Sequence, residues 1–221
     1  MGSGQGIDCF LAGKIVGSAG RVVGVDMTPA MLAGARANAK EHGVKNVEFR
    51  LGEIEALPVA DATFDVVISN CVVNLSPEQG RVFREIARAL KPGGRLCLSD
   101  VLSRTEGPVC IPGDGTTNIC ACITGAHSQK WVEGELRAAG LEDVVFELNE
   151  DSDKFISQWV PGSGAEKQVI SGIIRARKPI EGSQKAPVKA AGGCCGEAPA
   201  KVPAPAPAPA SGGCGAGGGC C

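Results

Sequence analysis

Between Arg21 and Val101, short β-rich runs alternate with amphipathic helical runs, an order that predicts a parallel sheet with helices on both faces. Arg21–Asp26 (RVVGVD) reads as a strand. Thr28 caps the helix that follows and Pro29 takes its first position. Met31, Leu32, Ala35 and Ala39 form the apolar face of that helix, and Gly43 ends it. Val47–Leu51 and Phe64–Ser69 are further strands. Ser76-Pro77-Glu78-Gln79 has the form of a capping box, and the helix it opens buries Val82, Phe83, Ile86, Ala87 and Leu90. Lys91-Pro92-Gly93-Gly94 breaks that helix and leads into a strand over Arg95–Val101. Beyond a glycine-rich loop, Gln129–Ala139 is helical, while Val144–Leu148 and Val169–Arg177 read as two late strands that suit an antiparallel edge.

The pattern stops near Pro179, where Ala, Pro, Gly and Cys take over. Residues 179–221 form a low-complexity tail in which Val202–Ala210 (VPAPAPAPA) is an extended polyproline-like spacer. Two thiol clusters sit there, Cys194-Cys195 and Cys214 with Cys220-Cys221. A chain of 221 residues that is 43% apolar builds one core plus this appendage. With a net charge of −2 and no long basic run, it lacks the electrostatic footprint of a nucleic-acid partner. Its apolar runs are strand-length, so no membrane partner is expected. The 11 cysteines are odd in number and partly vicinal, which points to reduced thiols and a cytoplasmic location.

Chemistry enters at the loops. Gly2-Ser3-Gly4-Gln5-Gly6 precedes a helix, and glycines there let backbone N–H groups approach a ligand at the helix N-terminus. Asp26 ends the next strand at roughly the 20-residue offset from which a carboxylate reaches ribose hydroxyls. Its alternative role is to cap the helix, a task left to Thr28. A dinucleotide-binding dehydrogenase would want its third glycine at position 7, where the chain has Ile7. Asn70 and Cys71 follow a strand whose carboxyl end faces the cofactor crevice. Cys71 is read either as a buried small hydrophobe or as a ligand. Cys122, in Cys120-Ala121-Cys122, follows the fifth strand's loop and emerges on the same side. Half of a zinc site is the alternative for that pair, with His42 and His127 as the histidines that would complete it.

Three ordered motifs make the pattern specific. Gly52-Glu53-Ile54-Glu55-Ala56-Leu57-Pro58, Phe64-Asp65-Val66-Val67 and Leu90-Lys91-Pro92-Gly93-Gly94-Arg95-Leu96 resemble the small-molecule S-adenosylmethionine methyltransferases. The resemblance implies a Rossmann-like class I α/β methyltransferase domain over residues 1–178. By it, Gly2, Gly4 and Gly6 border the methionine portion of the cofactor and Asp26 binds the ribose. Met27 then packs on the adenine, Ile54 and Glu55 lie at the adenine edge, with Glu53 an alternative to Glu55, and Asn70 borders the cofactor. Within that class, Asp26-Met27-Thr28-Pro29, Ser69-Asn70-Cys71-Val72-Val73-Asn74-Leu75-Ser76-Pro77, Cys122-Ile123-Thr124-Gly125-Ala126 and Trp159-Val160-Pro161-Gly162-Ser163-Gly164 resemble the arsenite methyltransferases.

That family pattern makes Cys71 and Cys122 arsenic ligands, arsenite or its glutathione conjugate the substrate, and glutathione or thioredoxin the thiol reductant. Thiolates suit a soft trivalent metalloid, and lowered thiol pKa values would speed its capture. Cys9, Cys97, Cys110 and Cys120 match no ligand: Cys97 is assigned to the core, Cys9 to a helix face, and the other two to a loop. His42 and His127 are expected to be solvated, and Trp131 and Trp159 to pack. A quinone-type C-methyltransferase and a non-catalytic protein that sequesters metalloid on its tail thiols remain alternatives.

The family also places a strand directly before the glycine loop and further cysteines upstream of it, where this sequence has only Met1. A sheet without its central strand is therefore expected, with unpaired backbone groups, low activity, and any targeting segment out of view.

Overall fold

The computed structural model describes residues 1–107, 109–110 and 118–180. In chain order these form α1 (Ile7–Val16), β1 (Val22–Asp26), α2 (Pro29–Glu41), β2 (Val47–Leu51) and β3 (Phe64–Asn70). A 3-10 turn, Val73–Leu75, leads to α3 (Gln79–Ala89) and β4 (Leu90–Ser103). Then come α4 (Asn118–Thr124), α5 (Gln129–Ala138), β5 (Glu142–Leu148), α6 (Asp153–Trp159), α7 (Ala165–Gln168) and β6 (Val169–Arg177). The tail and its clustered cysteines lie outside the described residues.

The strands make a mixed α/β arrangement in two pieces: a parallel pair β1-β2, and a four-stranded sheet in the order β3-β4-β6-β5. β3 and β4 run parallel, while β6 is antiparallel to both β4 and β5, as the late position of the last two strands suggested. Among the described residues no strand lies between β1 and β3. Met1–Ser3 spans that place instead: the Met1 ammonium donates to Ile68 O at 2.7 Å, and Ser3 N–H donates to Val25 O at 3.0 Å. Val66 and Ile68 on β3 remain exposed, as do Ile7, Leu11 and Ile15 on α1.

Burial follows the periodicity read from the sequence. Val82, Phe83, Ile86, Ala87 and Leu90 all sink into the main core with Leu96, Leu98, Leu102, Leu136, Ile170 and Ile174. A smaller core joins Cys9, Leu32, Ala35 and Phe49 where α1 and α2 cover β1 and β2. Met31, assigned to the apolar face of α2, is exposed.

Two helix starts differ from expectation. α3 begins at Gln79 with no side-chain cap, because the Ser76 hydroxyl is engaged by the Glu55 carboxylate and accepts the Glu78 N–H at 3.1 Å. Thr28 precedes α2 but its side chain makes no cap bond; Asp26 accepts the Thr28 N–H at 2.9 Å in its place. The region read as a loop before Gln129 also contains a helix, α4, and it carries Cys122.

Candidate active site

The glycine loop is built by backbone geometry that side chains oppose. Gly2, Gly4 and Gly6 all take left-handed φ values, +61°, +50° and +96°. A Cβ on Gly2 would lie 2.9 Å from the Val72 side chain, so the loop abuts the residue that follows Cys71. Gly4 has open space beside its Cα and donates its N–H to Asp26 Oδ2 at 2.8 Å. Asp26 thereby ties the loop to the end of β1 and the start of α2. Each carboxylate oxygen keeps a second lone pair for an incoming hydroxyl. The Ser3 hydroxyl is buried without a hydrogen-bond partner. Met27 stands largely exposed as a shelf beside Asp26, and Ile54 is half-buried against the main core. Glu55 is held by Ser76, whereas Glu53 is exposed. Left-handed glycines at the N-terminus of α1, a carboxylate at a strand end and an apolar shelf suit a nucleoside-bearing cofactor.

The two cysteines singled out from distant loops come together. Cys122 Sγ lies 3.6 Å from the Cys71 carbonyl oxygen, across a sequence separation of 51. Cys71 sits just past β3 at φ +51°, a left-handed conformation that costs an ordinary residue about 1–2 kcal/mol. Its N–H donates to Ser99 O at 2.8 Å, which holds the bend against β4. Asn70 is exposed at the end of β3 beside it.

Sequence reasoning missed two groups beneath the pair. Asp100 is buried on β4; its carboxylate accepts the Val101 N–H at 2.9 Å and feels the nearby backbone N–H groups of Asn74 and Val73. The Asn74 amide, also buried, donates to Val101 O at 2.8 Å and Cys122 O at 3.1 Å. Both were legible in one respect, as polar residues inside the apolar runs VVNL and LCLSDVL.

Electrostatics do not supply the lowered thiol pKa values that would speed capture. Burial raises the Cys71 thiol, with a further push from the Asp100 charge. The Cys122 thiol is pushed up to about 11 by burial, then by Asp100 and Cys71. Asp100 itself is raised to about 6 by burial, against the pull of the backbone N–H groups of Val101, Asn74 and Val73. At pH 7 Cys122 is therefore held as the protonated thiol. Because only the thiolate reacts, alkylation of Cys122 by iodoacetamide is expected to rise about tenfold per pH unit from pH 7 to 10 without levelling. A plateau below pH 9, read by peptide mapping, would contradict that environment.

The remaining residues divide as follows. Cys9 is buried against α2 and β2, and burial raises its thiol too. Cys97 is only half-buried, and Cys110 is exposed. His127, expected to be solvated, is half-buried and stacks on Trp131 with ring centroids 3.7 Å apart, because α5 places its first-turn indole under the preceding loop. His42 is exposed. Trp131 and Trp159 pack against the two larger cores as expected. Among the described residues no group of three or more His, Cys, Asp or Glu side chains stands together to hold a metal ion, and no helix is long and apolar enough to cross a membrane.

Known proteins give the class first: residues 1–148 match the methyltransferase domain family, and the chain belongs to it. Within that class its relatives are more particular. The arsenite methyltransferase of Halobacterium salinarum is 46% identical over 179 residues, covering 81% of this chain and 46% of the relative. The crystal structure of an arsenic(III) S-adenosylmethionine methyltransferase from Chlamydomonas reinhardtii superposes with a TM-score of 0.63 at 33% identity. That alignment covers 82% of this chain and 62% of the other. A demethylmenaquinone methyltransferase of Lactococcus lactis is 41% identical over 93 residues, 42% of this chain and 37% of the relative. The matched segment thus spans less than half the length of each of these two curated relatives.

Proposed function

We propose that this chain transfers a methyl group from S-adenosylmethionine to trivalent arsenic held by Cys71 and Cys122. The observation that carries the reading is the approach of Cys122 Sγ to within 3.6 Å of the Cys71 backbone, beside the glycine loop. The similarity to arsenite methyltransferases supports it.

Arsenite is soft and thiophilic. Two thiols displace two of its hydroxides as water, forming two As–S bonds and leaving the arsenic lone pair exposed. S-adenosylmethionine, when bound, supplies an electrophilic methyl group on a sulfonium. The lone pair is the nucleophile, so the site needs no general base. What the protein contributes is aim: Asp26 and the glycine loop hold the cofactor, while the bends at Cys71 and α4 hold the metalloid in line with it. Methyl transfer takes arsenic formally from the trivalent to the pentavalent state. Return to the trivalent state consumes two electrons from a thiol reductant such as glutathione or thioredoxin.

Incubation with methyl-labelled cofactor, arsenite and glutathione, followed by arsenic speciation, tests the reading. Labelled methylarsenicals are the expected product. Transfer of label to a demethylmenaquinone and none to arsenic would replace it with the quinone reading. Retention of arsenite without methylation would leave the sequestering alternative, whose tail thiols lie outside the described residues.

Asp26 gives a separate handle on cofactor binding. Asp26→Asn removes a charged acceptor that takes two N–H groups and turns an amide NH₂ toward one of them. A Kd for S-adenosylmethionine weaker by about tenfold or more is expected from calorimetry. An unchanged Kd would remove Asp26 from the cofactor site.

A further inference from the structure

We propose that Asn74 is the positioning residue that sets the spacing of Cys71 and Cys122, by tying both cysteine-bearing segments to β4 through one planar amide. The proposal rests on the reading that these two thiols hold the metalloid.

The two thiols belong to separate segments. Cys71 lies at the start of the bend that runs through the 3-10 turn, and Cys122 lies on α4. Asn74 is in that 3-10 turn, three positions after Cys71, and is buried. Both hydrogens of its amide are used: one meets Val101 O on β4 at 2.8 Å, the other Cys122 O on α4 at 3.1 Å. Because the amide is planar, the two carbonyls it bridges are held at a set separation and direction. The Cys122 carbonyl lies in the last turn of a short helix, where no following N–H serves it, so Asn74 also satisfies an orphan acceptor.

The backbone of Asn74 is held just as firmly. Its N–H, with that of Val73, lies near enough to the Asp100 carboxylate on β4 to favour the charged form of that group. Its carbonyl faces Gly125, immediately after α4, so closely that a Cβ there would come within 2.0 Å of Asn74 O. Gln79 Nε2 donates to Gly125 O at 2.7 Å and ties the end of α4 to the start of α3. Cys71 N–H in turn reaches Ser99 O on β4. Thus β4 is the common base, and Asn74 is the residue that touches both arms and the base together.

Two sulfurs that capture one ion depend on this spacing in a way that single thiols do not. Each sulfur reacts alone wherever it is reachable, but closing the second As–S bond requires both to stand within reach of one atom. A displacement of about 1 Å in such an arrangement can cost about a hundredfold in rate.

The test compares two reactions on the full chain, mapped to Cys71 and Cys122 by mass spectrometry of peptides. Iodoacetamide reads each thiol alone. Phenylarsine oxide reads the pair, forming two As–S bonds and releasing its oxygen as water. Asn74→Leu keeps the side-chain size without adding charge and has no amide donors. Gly125→Ala leaves Asn74 intact and pushes α4 away from it. In each variant the alkylation rates are expected to stay within about threefold of the original, while bridging slows about a hundredfold. Thermal melting establishes that a variant is folded.

If bridging proceeds at the original rate in either variant that melts cooperatively, the positioning role is overturned. It is equally overturned if both reactions change together, as a merely structural role would have it. Failure of the unsubstituted chain to bridge Cys71 to Cys122 is a different result, and it removes the paired-thiol reading itself.

Discussion

Replacing either Cys71 or Cys122 by serine is expected to lower arsenite methylation by about a hundredfold or more, while S-adenosylmethionine binding holds. Serine is nearly isosteric, so the bends at Cys71 and α4 have no steric reason to change. It is nevertheless a hard oxygen ligand with no affinity for soft trivalent arsenic, and one remaining thiol leaves the lone pair free to turn away from the methyl donor. For the same reason the double variant is expected to be little worse than either single one, since the two sulfurs act as a unit. Calorimetry with the cofactor provides the control, because Asp26, Met27 and the glycine loop are untouched. Near-normal arsenite turnover in both single variants would remove these thiols from the site. Normal methylation of an organic acceptor by the double variant would favour the quinone-type chemistry.

The second large effect concerns the glycine loop. Gly6→Ala is expected to destabilise the chain by about 3 kcal/mol, or roughly 10 °C in Tm, and to weaken cofactor binding along with it. Two costs combine there. Gly6 sits at φ +96°, and an added Cβ would stand 2.7 Å from the Phe49 ring and 2.8 Å from the Phe10 ring. Those rings meet edge to face with centroids 5.8 Å apart and help to fill the core under α1, so neither can retreat freely. Gly17→Ala isolates the first cost, since Gly17 has φ +68° with nothing within 4 Å of its would-be Cβ. It should lose only about 1 kcal/mol. Equal melting of the two variants would show that the contact with the rings carries no cost.

Much of this architecture could be read in advance, and the reasons differ by element. β2 and β6 were anticipated to the residue: VEFRL alternates apolar and polar positions between Asn46 and Gly52, and the β-branched VISGII lies ahead of Lys178-Pro179. The buried face of α3 was legible because one apolar stripe at helical spacing admits one orientation. Its start was not. Ser76 fits a capping box locally, but the Glu55 carboxylate, brought in from a distant loop, competes for the hydroxyl. α4 was missed because Asn118–Thr124 is short and lies after a glycine-rich stretch, where local propensity is weak.

The cysteines show the same boundary. Resemblance to the arsenite methyltransferase motifs singled out residues 71 and 122, and sheet geometry made their convergence plausible, since in an open α/β fold the carboxyl ends of the strands meet at one crevice. The ionisation state of their thiols was out of reach, because a pKa is set by burial and by charges from other elements, here chiefly the packing around Cys122 and the buried carboxylate of Asp100. The roles of Asn74 and Asp100 were hidden for a related reason: a polar residue in an apolar run signals that it has a partner, but not which one. Composition, periodicity and motif spacing are properties of neighbours along the chain: from them follows the class of fold, and the resemblance the motifs carry is what pointed to the glycine loop and the two thiols. How far apart those thiols stand, how tightly they hold their protons and what clamps them depend on contacts across some fifty residues of sequence, and such contacts exist only once the core has closed.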